Sequence, residues 1–509
     1  MNPPQLKFVR PVQRVGRVPF WIKLAQGASA LPGQHKEWAF NTLLLLYFSQ
    51  VLGLSALLVG VVLAVATAID AISDPLVGSL SDNLKSRLGR RHPLILFSII
   101  PTTLSIYALF APPDGLTNLQ LSIWLFSWTI VLRLSFSFHA VPWGAIGAEL
   151  SEDYGERTEI IAFRMMMGVY IGSLMIFFVF IPLFPSSDDF SNGFLNENYY
   201  HTFALVLSSL IFFWMTLSAL STLGEVKHLP QPTERIQRIT AGDAFHRVIE
   251  SLKNRNFRML FFGTLLASAI MGTGQVFDTY MNVFFWEFPT EDIKWFSIAA
   301  MVGVTISLVT IKPLQSRFEK RDIFMVCLLM GSLLQILKVA ARFLEILPEN
   351  GDPLLLQIFL VQSSLGAFFA FIFLMMFASM IADISDEQEL ANGLRQEGVF
   401  SGGITFSSKA TSGFGAILGG FLLESVIRMP VGLVPGEIEQ DTLIRLAVID
   451  GIVMPALMVV PVILVRKYSL TRRAVGLIQA KLKEQGANTG SYGGLSSRNG
   501  SDAAPRYYW

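Results

Sequence analysis

Cysteine is almost missing from this chain: one residue, Cys327, in 509. A single thiol inside an apolar run builds no disulfide framework, and its plain role is that of a small buried hydrophobe. Charge is scarce too, at 15% Asp, Glu, Lys and Arg, and nearly balanced at a formal +1. That leaves no basic field to attract nucleic acid, so no such partner is expected. Gly-rich phosphate loops, Cys/His clusters with metal-ligand spacing and nucleophile-base sets are also missing, which argues against an enzyme. What fills the chain instead is apolar: 52% of residues are hydrophobic, 41 are phenylalanine, and the mean hydropathy is +0.51. This composition belongs to an all-α integral membrane protein rather than a soluble one.

A bilayer core takes about 20 mostly apolar residues per helix. Runs of that order lie near 34–52, 55–80, 93–112, 120–147, 160–184 and 202–223, and again near 259–286, 295–314, 322–344, 354–382, 399–426 and 443–465. The pattern predicts twelve spans in two groups of six. Lys85, Arg87, Arg90, Arg91, Arg157, Arg317, Lys320, Arg321, Arg466 and Lys467 all fall in connections on one side, against Lys294 and Arg428 on the other. Short loops rich in Lys and Arg stay in the cytoplasm, so both termini are expected there. The first thirty residues carry charge but no apolar core of signal-peptide length, and read as a retained cytoplasmic arm.

The expected organisation is 1–224 as an arm and a six-helix bundle, 225–256 as a cytoplasmic loop, 257–468 as a second six-helix bundle, and 469–509 as a cytoplasmic tail. In that tail "LTRRAVGLIQAKLKE" reads as an amphipathic helix along the membrane face. From about Gly486 the Gly/Ser/Asn-rich remainder reads as disordered.

Ionisable groups inside a bilayer are costly and therefore point to function. Asp70 and Asp74 stand i, i+4 on one helix face, and two like charges so close need a cation between them. Pro75 follows at once and loosens the local backbone ladder. Lys409 lies about eleven residues into its run, roughly 16 Å along a helix and near mid-membrane, where a carboxylate is its natural partner. Small residues around it, including Gly402, Gly403 and Gly413, let helices approach closely. His139 precedes Trp143 by one turn, which suits either helix packing or a substrate wall. Asp278, Lys338, Arg342 and Asp450 read equally as intramembrane charges or as exposed helix ends.

The stretch "DAISDPLVGSLSDNLKSRLGRRHP" from Asp70 to Pro93 resembles the second-span signature of the glycoside-pentoside-hexuronide:cation symporters, a branch of the major facilitator superfamily. "VPWGAIGAELSEDYGERTEIIAFR" from Val141 to Arg164 and "IADISDEQELANGLRQEGVFSGGITFSSK" from Ile381 to Lys409 resemble two further segments of that family. The resemblance implies the major facilitator fold and symport by alternating access, with Asp70 and Asp74 as cation ligands and Lys409 as the counter-charge that couples them. Trp143 then matches an aromatic of the sugar site, and Arg164 an arginine at the start of span five. Asp82, Arg87, Arg90, Arg91, Arg157 and Arg395 fall where a cytoplasmic charge gate is expected.

Departures from the family shape the expectations further. In the melibiose permease-like branch an asparagine precedes the second aspartate and a threonine in span four can ligate sodium; here those places hold Ser73 and Phe136. Ser73 is therefore counted with the cation-binding group, and a proton is favoured over sodium. Gln34 and His139 replace the branch's two sugar-binding acids, which counts against galactoside recognition of the melibiose type; with Trp143 and Arg164 they form the expected substrate-binding group for a sugar, glycoside or hexuronide. "ALPGQ" and "FHAVPWGAI" are also similar to animal lysophospholipid symporters, so a lysophospholipid or another amphiphile is the alternative. The expected setting is a monomer in a bacterial inner membrane, with no cofactor beyond the coupling H+ or Na+ and no metal beyond a possible sodium at Asp70 and Asp74.

Overall fold

The structure is a computed structural model that describes residues 14, 16–151, 153–229, 251–392, 409 and 413–495. Among the described residues it is helical throughout, and ten helices are long and apolar enough to cross a membrane. In chain order the helices are α1 (Phe20–Ala28), α2 (Ala30–Ala39), α3 (Ala56–Asn83), α4 (His92–Phe110), α5 (Asn118–Glu149), α6 (Gly155–Leu183) and α7 (Asn198–His228). After the break come α8 (Arg255–Phe285), α9 (Thr290–Arg317), α10 (Lys320–Phe343), α11 (Pro353–Ala391), the shorter α12 (Gly413–Ile427), α13 (Gln440–Val465) and α14 (Arg472–Leu495).

Two boundaries differ from the sequence reading. The arm expected over the first thirty residues is already helical from Phe20, because α1 packs its small residues on α6: a side chain at Gly27 would meet the Phe163 carbonyl oxygen at 2.9 Å. Lys23 on α1 is held there by Glu156 at 3.0 Å and Glu159 at 2.5 Å. At the other end α14 continues to Leu495, past Gly486, since turns nucleated upstream propagate at little further cost.

Helix starts follow their caps. Ser55 accepts from the Leu58 amide at 3.2 Å to open α3, Thr117 and Gln120 form a reciprocal capping box on α5, and Asn254 accepts from the Phe257 amide at 2.9 Å to open α8. Proline is tolerated inside α3, α4, α5 and α9, at Pro75, Pro101, Pro142 and Pro313, as intramembrane helices allow.

The helices up to residue 229 and those from 251 onward meet along a glycine-lined seam between α3 and α12. A side chain at Gly60 would collide with the Ala416 carbonyl, one at Gly420 with that of Ala56, and one at Gly413 would lie 3.2 Å from Ala64. As α3 descends from Ala56, its partners on α12 run backward from Gly420, so the two helices are antiparallel and in close contact. The hydrogen bonds joining the two halves gather at the face remote from the termini and at mid-depth. Glu424 accepts from Ser55 and from the Leu57 amide at 3.1 Å, Glu291 from the Ser186 hydroxyl at 2.6 Å, and Thr290 from the Gly193 amide at 2.8 Å. Close to that face the hydroxyls of Ser49 and Tyr280 lie 2.5 Å apart, and midway along α6 and α9 those of Tyr170 and Thr305 lie 3.0 Å apart.

Candidate functional site

The α3–α12 seam fixes what faces what. One turn before Gly413, the Lys409 ammonium donates to Asp70 Oδ2 at 2.9 Å and to Asp74 Oδ2. Helical periodicity puts both carboxylates on one face of α3, and the antiparallel seam aims that face at Lys409. Asp70 is the fifteenth residue of α3, about 21 Å along it, and is only 7% exposed.

Behind the acids stands α5. The Ser137 hydroxyl oxygen lies 2.9 Å from Asp70 Oδ1 and 2.7 Å from Asp74 Oδ1. One hydroxyl hydrogen thus serves two carboxylates, and a second proton placed there would satisfy both. Ser73, grouped with the acids from sequence, instead donates to the Asp70 carbonyl at 3.2 Å and sits 3.2 Å from Ser137. It supports the hydroxyl that touches the acids and makes no hydrogen bond to either carboxylate.

A cavity of about 290 Å³ opens beside the pair, lined by Asp70, Asp74 and Lys409 together with Lys36, Glu37, Arg133 and other residues. Lys36 is 3% exposed, pairs with Glu37 at 2.7 Å and lies 4.3 Å from the centre of the Phe136 ring. Arg133 Nη1 reaches between Glu37 at 3.6 Å and Asp70 at 3.5 Å, and its guanidinium rests on the Phe40 ring at 5.1 Å. Three cations therefore face three carboxylates around one cavity. Sequence reasoning missed Lys36, Glu37, Arg133 and Ser137. Arg133 was findable as an arginine at the centre of an apolar run, and Ser137 as the residue one turn after it on the same face; Lys36 and Glu37 resemble the ordinary end of a span.

The other expected substrate residues cluster elsewhere and do not line this cavity. His139 is buried and bonded to the Ser29 hydroxyl at 2.9 Å, with its ring stacked on Trp143 at 6.4 Å and 9°. Trp143 donates its indole N–H to the Gln26 carbonyl at 2.9 Å, and the Arg164 guanidinium lies over the Trp143 ring at 4.1 Å. Gln34 packs against Gly172, where a side chain would meet its Cγ at 2.8 Å. These four residues tie α1 and α2 to α5 and α6.

Near the termini, Arg91 bonds Asp82 at 2.7 Å and Glu149 at 2.6 Å, while Arg90 bonds Glu149 at 2.7 Å. This charge cluster lies wholly within the first half. Arg87 is exposed, Arg157 donates to the Ser151 carbonyl at 2.7 Å, and Arg395 lies outside the described residues.

Comparison with known proteins fits this geometry. The sequence profile of the family described as MFS/sugar transport protein matches residues 25–472. The chain is 33% identical to the uncharacterized symporter sll1374 of Synechocystis over 32% of its own length and 30% of that protein's, so it spans less than a third of this relative. It is 24% identical to the isoprimeverose transporter of Lactiplantibacillus pentosus over 76% of each chain. In fold it resembles the solved nucleoside transporter NupG, with a TM-score of 0.57 at 16% identity, covering 88% of this chain and 100% of that one. With its helical seam, its intramembrane acid pair and a family profile that matches nearly its whole length, the chain belongs to the MFS/sugar transport protein family, in the glycoside-pentoside-hexuronide:cation symporter branch of the major facilitator superfamily.

Proposed function

We propose that this chain is a cation-coupled symporter that imports a sugar, glycoside or hexuronide by alternating access, with twelve spans in two six-helix bundles and both termini in the cytoplasm. The observation that carries the reading is the Lys409 ammonium held between Asp70 and Asp74. A lysine bridging two carboxylates is a resident cation that a mobile one can displace. Binding of the coupling ion neutralises an acid, releases Lys409 into the cavity and changes the charge that a substrate meets. Cation and substrate then favour each other's binding by the same factor.

A proton is the favoured ion. The single hydrogen of Ser137 between two carboxylate oxygens leaves room for one more proton, and Phe136 stands where the branch can offer a sodium-ligating threonine. The substrate is assigned to the cavity beside Lys36, Glu37 and Arg133, whose density of charge suits a polar molecule better than an acyl chain. Trp143 and Arg164, with His139 and Gln34, are assigned the positioning of α1, α2, α5 and α6 around that cavity. The charge cluster of Asp82, Arg90, Arg91 and Glu149 is assigned to the cytoplasmic end of the path.

The test is uptake into proteoliposomes under separate proton and sodium gradients, across sugars, glycosides, hexuronides and lysophospholipids. Accumulation of a sugar-class substrate driven by protons alone is the expected result. Drive by sodium alone overturns the ion, and accumulation of lysophospholipid alone overturns the substrate.

A further inference from the structure

A second set of intramembrane charges lies in the second half, away from the site above. Asp450 sits in a π-helical turn, Ile449–Val453, inside α13, and is only 7% exposed. Such turns break the regular hydrogen-bond ladder and recur at functional sites. This one is pressed onto α10: a side chain at Gly451 would collide with Val339, the neighbour of Lys338. Among the described residues the Asp450 side chain makes no hydrogen bond and no ion pair.

The charged groups that face it from the elements packed there are few. Asp278 on α8 and Lys338 on α10 both act on Asp450 electrostatically. Lys338 lies over the aromatic faces of Trp286 at 5.9 Å and Phe359 at 5.5 Å instead of closing an ion pair. Arg342 also lies over the Trp286 ring, at 5.0 Å, but its guanidinium donates to the Pro348 carbonyl at 2.6 Å and to Asn350 at 2.7 Å. Trp286 is fully buried with its indole N–H unpartnered, and Gln335, one turn before Lys338, has a buried amide oxygen without a donor. Two carboxylates against one lysine leave an excess negative charge, and an unpartnered carboxylate in such surroundings is neutralised most cheaply by a proton.

A route connects this group to the central cavity. Gln275 lines that cavity, and Asp278 follows it by three residues on α8, so the two share a helix face. Met271, Gln275 and Asp278 are all exposed, in contrast to Thr273, Phe277 and Thr279 between and beside them. The stripe runs from the cavity toward Asp278, and the π-helical turn that carries Asp450 packs against the same helix, α8.

We propose that Asp278, Lys338 and Asp450 form a second proton-binding site, with Asp450 the buried carboxylate that takes the proton and Asp278 the group through which the central cavity reaches it. The step is simple: hydronium in the cavity gives up one proton, Asp450 becomes a neutral acid, and water is left. Lys338 then balances Asp278 alone.

The test is infrared titration of the purified full-length protein in lipid, reading the carbonyl stretch of protonated carboxylic acids as pH falls. Asp450→Asn is expected to remove one component of the titrating band and to leave the component that Asp70→Asn and Asp74→Asn remove, which separates this site from the first. Asp278→Asn, at an exposed position the fold can tolerate, is expected to move the Asp450 component to lower pH by about one unit, since the neighbouring negative charge that favours the proton is gone. A band unchanged by Asp450→Asn overturns the proposal, because Asp450 then stays ionised as the fixed counter-charge of Lys338. So does an Asp450 component that Asp278→Asn leaves in place.

Discussion

Lys409 and Asp70 are 339 residues apart in sequence and 2.9 Å apart in space, and the contact joins the two halves of the chain at mid-depth. Its geometry comes from the seam: glycines at 60, 413 and 420 bring α3 and α12 together until a lysine on one reaches two acids on the other. The charge arrangement is therefore sensitive to helix packing.

A double-mutant cycle on Lys409→Gln and Asp70→Asn tests that coupling. Each single change unbalances the three cations and three carboxylates around the cavity, and the two together restore equal numbers. Thermal unfolding in detergent should show the double variant more stable than the sum of the singles predicts, by about 1 kcal/mol or more. Additive effects would mean that the two groups do not interact.

Ser137→Ala removes the one hydroxyl that, among the described residues, touches both acids. A hydrogen bond donated to a charged group contributes about 1.5–3 kcal/mol, and its loss destabilises the ionised acids, so the apparent affinity for a coupling proton should rise by roughly tenfold or more. Uptake measured against ion concentration gives the value. Ser73→Ala, one hydrogen bond further away, should change it far less.

Gly60→Val places a side chain on the Ala416 carbonyl and should cost about 1–3 kcal/mol by overpacking, read as a lowered Tm. Gly274→Val on α8, where a side chain meets open space, is the control and should leave the Tm within a degree or two of the parent.

Glu424→Gln weakens the far-face contact with Ser55 and with the first turn of α3, where a carboxylate also complements the helix N-terminus. It should shift the population toward the state open on that face. Alkylation of a cysteine introduced at Leu54, which is buried beside that contact, reports the shift: labelling should speed up relative to the same cysteine in the parent.

Much of the architecture was legible in the sequence because a bilayer demands long apolar runs: ten of those runs appear as helices, nine with ends within about five residues of their expected positions, while α11 runs on to Ala391, nine residues past the expected 382. The acid pair and its lysine were legible for the same reason: charge inside such a run is conspicuous. Lys36 and Glu37 were not, because α1 and α2 extend the first span toward the terminus and turn an apparent end into an interior. Position alone did not reveal what His139 touches either. A lone imidazole reads alike as a ligand or as packing, and only the Ser29 hydroxyl and the parallel Trp143 ring distinguish the two.

If a cation held at Asp70 and Asp74 drives transport, Asp74→Asn uncouples the two. In proteoliposomes with an imposed proton gradient, the variant should still exchange substrate across the membrane while failing to accumulate it above the external concentration. Accumulation by Asp74→Asn to the level of the parent protein would mean that the acid pair does not hold the coupling ion.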